Sequence, residues 1–127
     1  MPSKKILVVE DQEEIREIIG LSLEEVGGWQ VLFAEPGPEV IQVAQVEQPD
    51  AILLDANMPC MDGPSTFQAL RANAPTQHIP VILLTASVQK SDAERFAQFA
   101  FAAVLAKPFD PLSLPAQISS ALGWESA

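Results

Sequence analysis

Five short runs of β-favouring apolar residues, each followed by a stretch with helical periodicity, constrain this chain more than any other feature. The runs are Ile6-Leu7-Val8-Val9, Val31-Leu32-Phe33-Ala34, Ala51-Ile52-Leu53-Leu54, Val81-Ile82-Leu83-Leu84 and Ala102-Ala103-Val104-Leu105-Ala106. They lack polar alternation, so they read as strands buried on both faces, the form taken by parallel sheets that helices cover. Between them, Ile15, Ile18, Ile19, Leu23 and Val26 share one helical face, and Gly27-Gly28 ends that segment. Pro38 stands where a first helical residue would, ahead of Val40, Ile41, Val43, Ala44 and Val46, and Pro49 closes this second helix. Pro64 opens a third helix carrying Phe67, Ala69 and Leu70. Ser91-Asp92 offers N-cap residues for a fourth, with Phe96, Ala97, Phe99 and Ala100. The last helix carries Leu112, Leu114, Ile118 and Leu122; Pro111 and Pro115 cannot both be first residues, so its start is irregular or delayed to about Ser113.

Strands alternating with helices indicate an α/β fold built from right-handed crossovers. The arrangement expected is a flavodoxin-like (βα)5 doubly wound parallel five-stranded sheet of order 2-1-3-4-5. At 127 residues the chain suits one domain, expected to span 1–127 with a core of about 4–122. In such sheets ligands bind beyond the carboxyl ends of the strands, where the winding reverses between strands one and three.

Composition removes several functions. With 17 acidic against 7 basic residues, the formal charge of −10 disfavours direct binding to nucleic acid or anionic lipid, both of which select basic patches. No apolar stretch approaches a membrane span, and the N-terminus does not read as a signal peptide, so a cytoplasmic location without membrane attachment is expected. Cys60, the single cysteine, excludes an internal disulfide framework and a thiolate zinc cluster, and reads as an ordinary thiol. His78, the single histidine, reads as a surface loop residue.

The strand ends carry the chemistry. Glu10 and Asp11 follow strand one, Asp55 ends strand three, Thr85 ends strand four, and Lys107 follows strand five. Taken singly, an Asp after a strand caps a helix, a Thr favours strands and a Lys is a solvated charge. Together they bring three carboxylates, a hydroxyl and an amine to one edge of the sheet. Clustered carboxylates repel one another unless a cation intervenes, and an all-oxygen donor set suits a hard divalent ion such as Mg2+. A metal beside a carboxylate also makes phosphoryl transfer to an Asp oxygen chemically reasonable, with Lys107 and Thr85 stabilising the phosphoryl oxygens.

Four separated motifs in order then resemble the response-regulator receiver domain, the CheY-like family. They are Glu10-Asp11, the segment from Leu53 to Gly63 containing Asp55-Ala56-Asn57-Met58-Pro59, Leu84-Thr85-Ala86, and Lys107-Pro108-Phe109. The resemblance implies that Asp55 takes a phosphoryl group from a sensor histidine kinase or a histidine phosphotransfer protein, switching the binding of a downstream protein partner. It implies that Asp11, Asp55 and the Asn57 carbonyl hold Mg2+, with Glu10 acting through a water, and that Thr85 and Lys107 bind phosphoryl oxygens. Such a protein is a switch that assists its own phosphorylation and dephosphorylation rather than an enzyme, and here it is expected to carry no attached output.

One residue departs from the family pattern. Relatives carry Tyr or Phe three residues before the lysine, where this chain has Val104, read here as packing; Phe101 lies three residues too early to substitute. Ala100-Phe101 also replaces the Gly-Ala turn before strand five. Phe96, Phe99 and Phe101 read as core more than as a partner patch, and Trp29 as a core or rim residue, while Trp124 near the end is compatible with packing or exposure.

Two other classes of function compete. A phosphorylation-independent interaction module on the same fold is favoured by Val104 and opposed by intact Asp55, Thr85 and Lys107. An aspartyl-phosphate phosphatase would need a second carboxylate two residues after the nucleophile, where this chain has Asn57. Flavin binding is opposed by Glu10-Asp11 at the place where a phosphate would sit.

Overall fold

A computed structural model of the chain describes residues 4–35, 38–55, 63–85, 101–106 and 109–124. Strands β1 (Lys5–Val9), β2 (Gln30–Ala34), β3 (Ala51–Asp55), β4 (Val81–Thr85) and β5 (Ala103–Ala106) form one parallel sheet of order β2-β1-β3-β4-β5. The expected architecture and strand order are therefore those observed. Helices α1 (Glu13–Leu21), α2 (Pro38–Glu47), α3 (Gly63–Ala72) and a C-terminal helix (Leu114–Leu122) accompany the sheet. The helix expected near Ser91, with Phe96 and Phe99, lies outside the described residues, as does Cys60.

Alternation along each strand divides the core into two layers. On one face Leu7, Val9, Ile52, Leu54, Val81 and Leu83 meet Val40 and Ala44 of α2 and Phe67 and Leu70 of α3. On the other, Ile6, Val8, Leu53, Ile82 and Leu84 meet Ile19, Leu23, Leu114 and Ile118. Every residue of β3 and β4 is buried, which explains their unbroken apolar runs. The sheet edges differ. β5 alternates between half-buried and exposed, and Val104 is 44% exposed, so the expectation of two buried faces fails there and Val104 is not core packing. An edge strand has a neighbour on one side only, and apolarity alone does not reveal that position.

The first helix departs from a regular one. After Leu21 the chain passes into a π-helical turn, Ser22–Val26, that ends at Gly27, with Gly28 at φ 71° turning the chain toward β2. Ile19 and Leu23 are buried, whereas Ile18 and Val26 are exposed, against the face expected for them. The buried Ser22 hydroxyl donates to the Pro111 carbonyl, tying this turn to the segment before the C-terminal helix. That helix starts at Leu114 with Pro115 in its first turn, resolving the two-proline ambiguity in favour of the delayed start, so Leu112, expected on the helix, precedes it and is exposed. Trp29 and Trp124 meet edge to face at 5.3 Å, and the Lys4 ammonium lies 5.0 Å from the Trp124 ring, so both tryptophans pack. Phe101 packs on Phe67 at 4.5 Å, and His78 is exposed, as read from the sequence.

Candidate functional site

The strand order places the reversal of winding between β1 and β3, and this sets which residues meet. β1 runs to one neighbour and β3 lies on its other side, with Val9 level with Leu54. The next residues along each strand are Glu10 and Asp55, so both carboxylates leave the sheet at the same crevice. On the far side of β3, Asp55 is level with Leu84, and Thr85 follows. Thr85 is in turn level with Ala106, the residue before Lys107 in sequence. Lys107 and Asn57 themselves lie outside the described residues.

Three carboxylates converge there. One oxygen each from Glu10, Asp11 and Asp55 lies within 4.8 Å of the others. Glu10 is 1% exposed, Asp55 3% and Thr85 2%, while Asp11 reaches solvent. Glu10 is fixed locally: its Oε1 accepts the Gln12 backbone N–H at 3.3 Å, and its carbonyl accepts Arg16 Nη1 at 3.5 Å. Arg16 also pairs with Glu35 at 3.6 Å. Arg16 is a member of this cluster that the sequence motifs do not mark, beyond its being a cation one turn into the helix that follows the acidic pair.

Burying carboxylates side by side is costly unless positive charge is shared among them. Oxygens bound to one small hard cation stand about 3–4 Å apart, given metal–oxygen bonds of about 2.1 Å. The three oxygens therefore need only small side-chain rotations to share such an ion, and no soft donor is among them. The donor set fits a divalent hard cation.

Comparison with known proteins agrees with this geometry. The sequence pattern of the response regulator receiver domain matches residues 6–119. The chain is 37% identical over 119 residues to a probable transcriptional regulator ycf27 of Cyanophora paradoxa, covering 94% of this chain and 48% of that protein. It is 33% identical to a probable chemotaxis protein CheY of Rhizobium etli, covering 94% of this chain and 92% of that one. Among solved structures, the receiver domain of the sensor histidine kinase PA1611 from Pseudomonas aeruginosa superimposes with a TM-score of 0.83 at 30% identity, covering 95% of this chain and 98% of that one. That structure holds a magnesium ion coordinated in its active-site cleft. The chain belongs to the response-regulator receiver domain family. It spans about half the length of the first of these relatives.

Proposed function

We propose that the chain is a phosphoacceptor switch of a two-component phosphorelay, with Asp55 as the residue that is phosphorylated. The observation that carries this reading is the meeting of Glu10, Asp11 and Asp55 at the β1/β3 crevice, with Asp55 at the end of a fully buried central strand. A sensor histidine kinase or a histidine phosphotransfer protein is the donor. An Asp55 carboxylate oxygen attacks the phosphorus, an O–P bond forms, and the P–N bond of the phosphohistidine breaks. Its electron pair stays on the imidazole nitrogen, which takes a proton from solvent.

Each side chain then has a separate role. Asp11, Asp55 and the Asn57 carbonyl would hold a Mg2+ ion, with Glu10 acting through a water. When bound, the ion offsets the negative charge that the incoming phosphoryl group brings to an already acidic cluster. Thr85 donates its hydroxyl to a phosphoryl oxygen, and the Lys107 ammonium pairs with another. The product carries about −1.5 to −2 charge where a single carboxylate stood, enough to reorganise the neighbouring loops and change what a downstream protein partner binds. The module is one receiver domain of about residues 4–122, a signalling switch rather than a classical enzyme, and it works in the cytoplasm without direct contact to nucleic acid or membrane. No helix among the described residues is long and apolar enough to cross a membrane.

A phosphorylation-independent interaction module is the second reading, favoured by Val104 at the position where relatives carry an aromatic ring. Incubation with acetyl phosphate and Mg2+, followed by intact-mass measurement, separates the two. Wild type should gain one phosphoryl group and Asp55→Asn none. Absence of uptake by wild type favours the inert module, and equal uptake by Asp55→Asn removes Asp55 as the acceptor.

A further inference from the structure

Ser22 is a small polar residue on an otherwise apolar, buried face. It lies beside Ile19 and Leu23, which pack on Leu114 and Ile118 of the C-terminal helix, and it is 3% exposed. A hydroxyl enclosed in this way is destabilising unless it is hydrogen-bonded. Serine within a helix commonly donates to the carbonyl one turn back. Here the hydroxyl donates instead to the carbonyl of Pro111, 89 residues away.

The Pro111 carbonyl has a specific need for that donor. The N–H that would close a helical turn on it belongs to residue 115, four positions on, and Pro115 has no N–H. The carbonyl before it is served in the regular way, since Asp110 accepts the Ser113 and Leu114 N–H groups at 3.0 Å each. The Asp110 carboxylate accepts the Leu112 N–H at 2.9 Å as well. Residues 110–114 therefore form a closed turn in which one carbonyl has lost its regular donor. The Ser22 hydroxyl takes the place of the missing N–H.

This turn is also one end of the segment that bears Lys107. Ala106, the last residue of β5, is level with Thr85, and Phe109 packs against the cluster that contains Ile19, Leu23 and Leu114. Only Lys107 and Pro108 lie between those two anchored residues in sequence. Pro108 and Pro111 remove two N–H donors from the run, so side-chain tethers such as Phe109 and the Ser22 hydroxyl replace backbone bonds of its own. We propose that Ser22 is a positioning residue for phosphoryl transfer: by holding the Pro111 carbonyl it fixes the strand-to-helix segment from which Lys107 reaches the phosphoryl group. The inference rests on the reading of Asp55 as phosphoacceptor, and adds to it a residue from the turn after α1, outside the acidic cluster.

The test follows the rate of phosphoryl uptake by the full chain from acetyl phosphate and Mg2+, read by intact mass. Ser22→Ala should slow uptake by about three- to tenfold, the effect of losing one hydrogen bond. In a Lys107→Ala background the same substitution should change the rate by less than about twofold, because no ammonium remains to be positioned. The urea midpoint should fall equally in both backgrounds, which separates positioning from a structural role. Pro115→Ala gives the Pro111 carbonyl back a backbone N–H. Added to Ser22→Ala, it should return the rate to within about twofold of that of Pro115→Ala alone. Circular dichroism checks that each variant is folded at the assay temperature, and Ser22→Cys, a weaker donor of similar size, takes the place of Ser22→Ala if the latter is not. The proposal is overturned if Ser22→Ala takes up phosphate at the wild-type rate, if the slowing is equal in both backgrounds, or if Pro115→Ala fails to restore the rate. The phosphoacceptor reading survives each of those results, whereas no uptake by wild type overturns both. Where Lys107→Ala takes up no phosphate, the rescue by Pro115→Ala alone decides.

Discussion

Leu83 and Val104 are level with one another on neighbouring strands, yet Leu83 is wholly inaccessible and Val104 is 44% exposed. Both belong to unbroken apolar runs, and nothing in their immediate sequence tells them apart. The difference is one of position in the sheet. β4 has β3 on one side and β5 on the other, whereas β5 has β4 alone. Apolarity is thus a permissive condition for burial, and strand order decides which apolar residues hold the fold together. The same contrast recurs along the strands: the buried centre is apolar until the carboxyl ends of β1, β3 and β4, where Glu10, Asp55 and Thr85 are enclosed as well. Buried polarity at those three ends is the departure from a simple core that coincides with the candidate site.

The largest expected effect sits at the centre. Leu83→Ala deletes a fully enclosed side chain among Leu54, Phe67 and their neighbours and should cost about 2–5 kcal/mol. Urea unfolding measures it, and a cost below about 1 kcal/mol would mean the centre collapses as readily as the edge.

A second contrast lies on α1 and its tail. At Gly27 an added Cβ would meet the Leu23 carbonyl oxygen at 2.7 Å and Pro115 Cβ at 3.1 Å, groups held by the π-helical turn and the C-terminal helix. Gly27→Ala should therefore destabilise by about 1–3 kcal/mol. Gly20→Ala meets the tip of the exposed Phe33 ring, which can swing away, and Glu24 Oε1 at an ordinary contact distance of 3.7 Å, so helix propensity prevails and stability should rise by up to about 1 kcal/mol. If the two substitutions change the urea midpoint in the same direction, packing at the end of α1 is looser than these distances imply.

At the strand ends the comparison turns electrostatic. If the three carboxylates share a cation, Mg2+ at ten times its dissociation constant should stabilise wild type by about 1.4 kcal/mol. Asp11→Asn should lose that response while being at least as stable without metal, since one of three mutually repelling charges is gone. A wild-type melt indifferent to Mg2+, or an equal gain in the variant, would separate the acidic cluster from metal binding.

Much of the architecture was legible because burial on two faces writes itself as continuous apolar runs, and the strands found match those runs to within a residue at each end. Pro38 and Gly27-Gly28 marked helix limits for the same local reason, fixed or permissive backbone angles. The acidic trio was readable once strand ends were aligned, because a parallel sheet of this order leaves one crevice. Less was visible where distant segments decide the outcome. The π-helical turn adds a residue to a helical turn without any composition signal, so Val26, expected on the buried face, is exposed, while Ser22 is buried against Pro111, 89 residues away. The edge position of β5 is likewise a property of pairing, and periodicity within the strand does not contain it.

The smallest expected effect is at Val104, and it tests the opening contrast most directly. The residue is half out of the sheet, and its methyl groups have less to lose than those of its neighbour Leu83, so Val104→Ala should change stability by no more than about 0.5 kcal/mol. Val104→Phe should be tolerated to a similar degree, because an edge position with solvent on one side can take a larger side chain without displacing the core. A stiff β-branched side chain has few rotamers to exchange and cannot reproduce the swing of an aromatic ring. Readout of phosphorylation should then survive Val104→Ala, with the change in amide exchange from Thr85 through Asp92 the same in the variant as in wild type. Loss of that change in Val104→Ala, with phosphate uptake intact, would show that an exposed edge residue governs the switch, and that burial does not rank the importance of residues in this sheet.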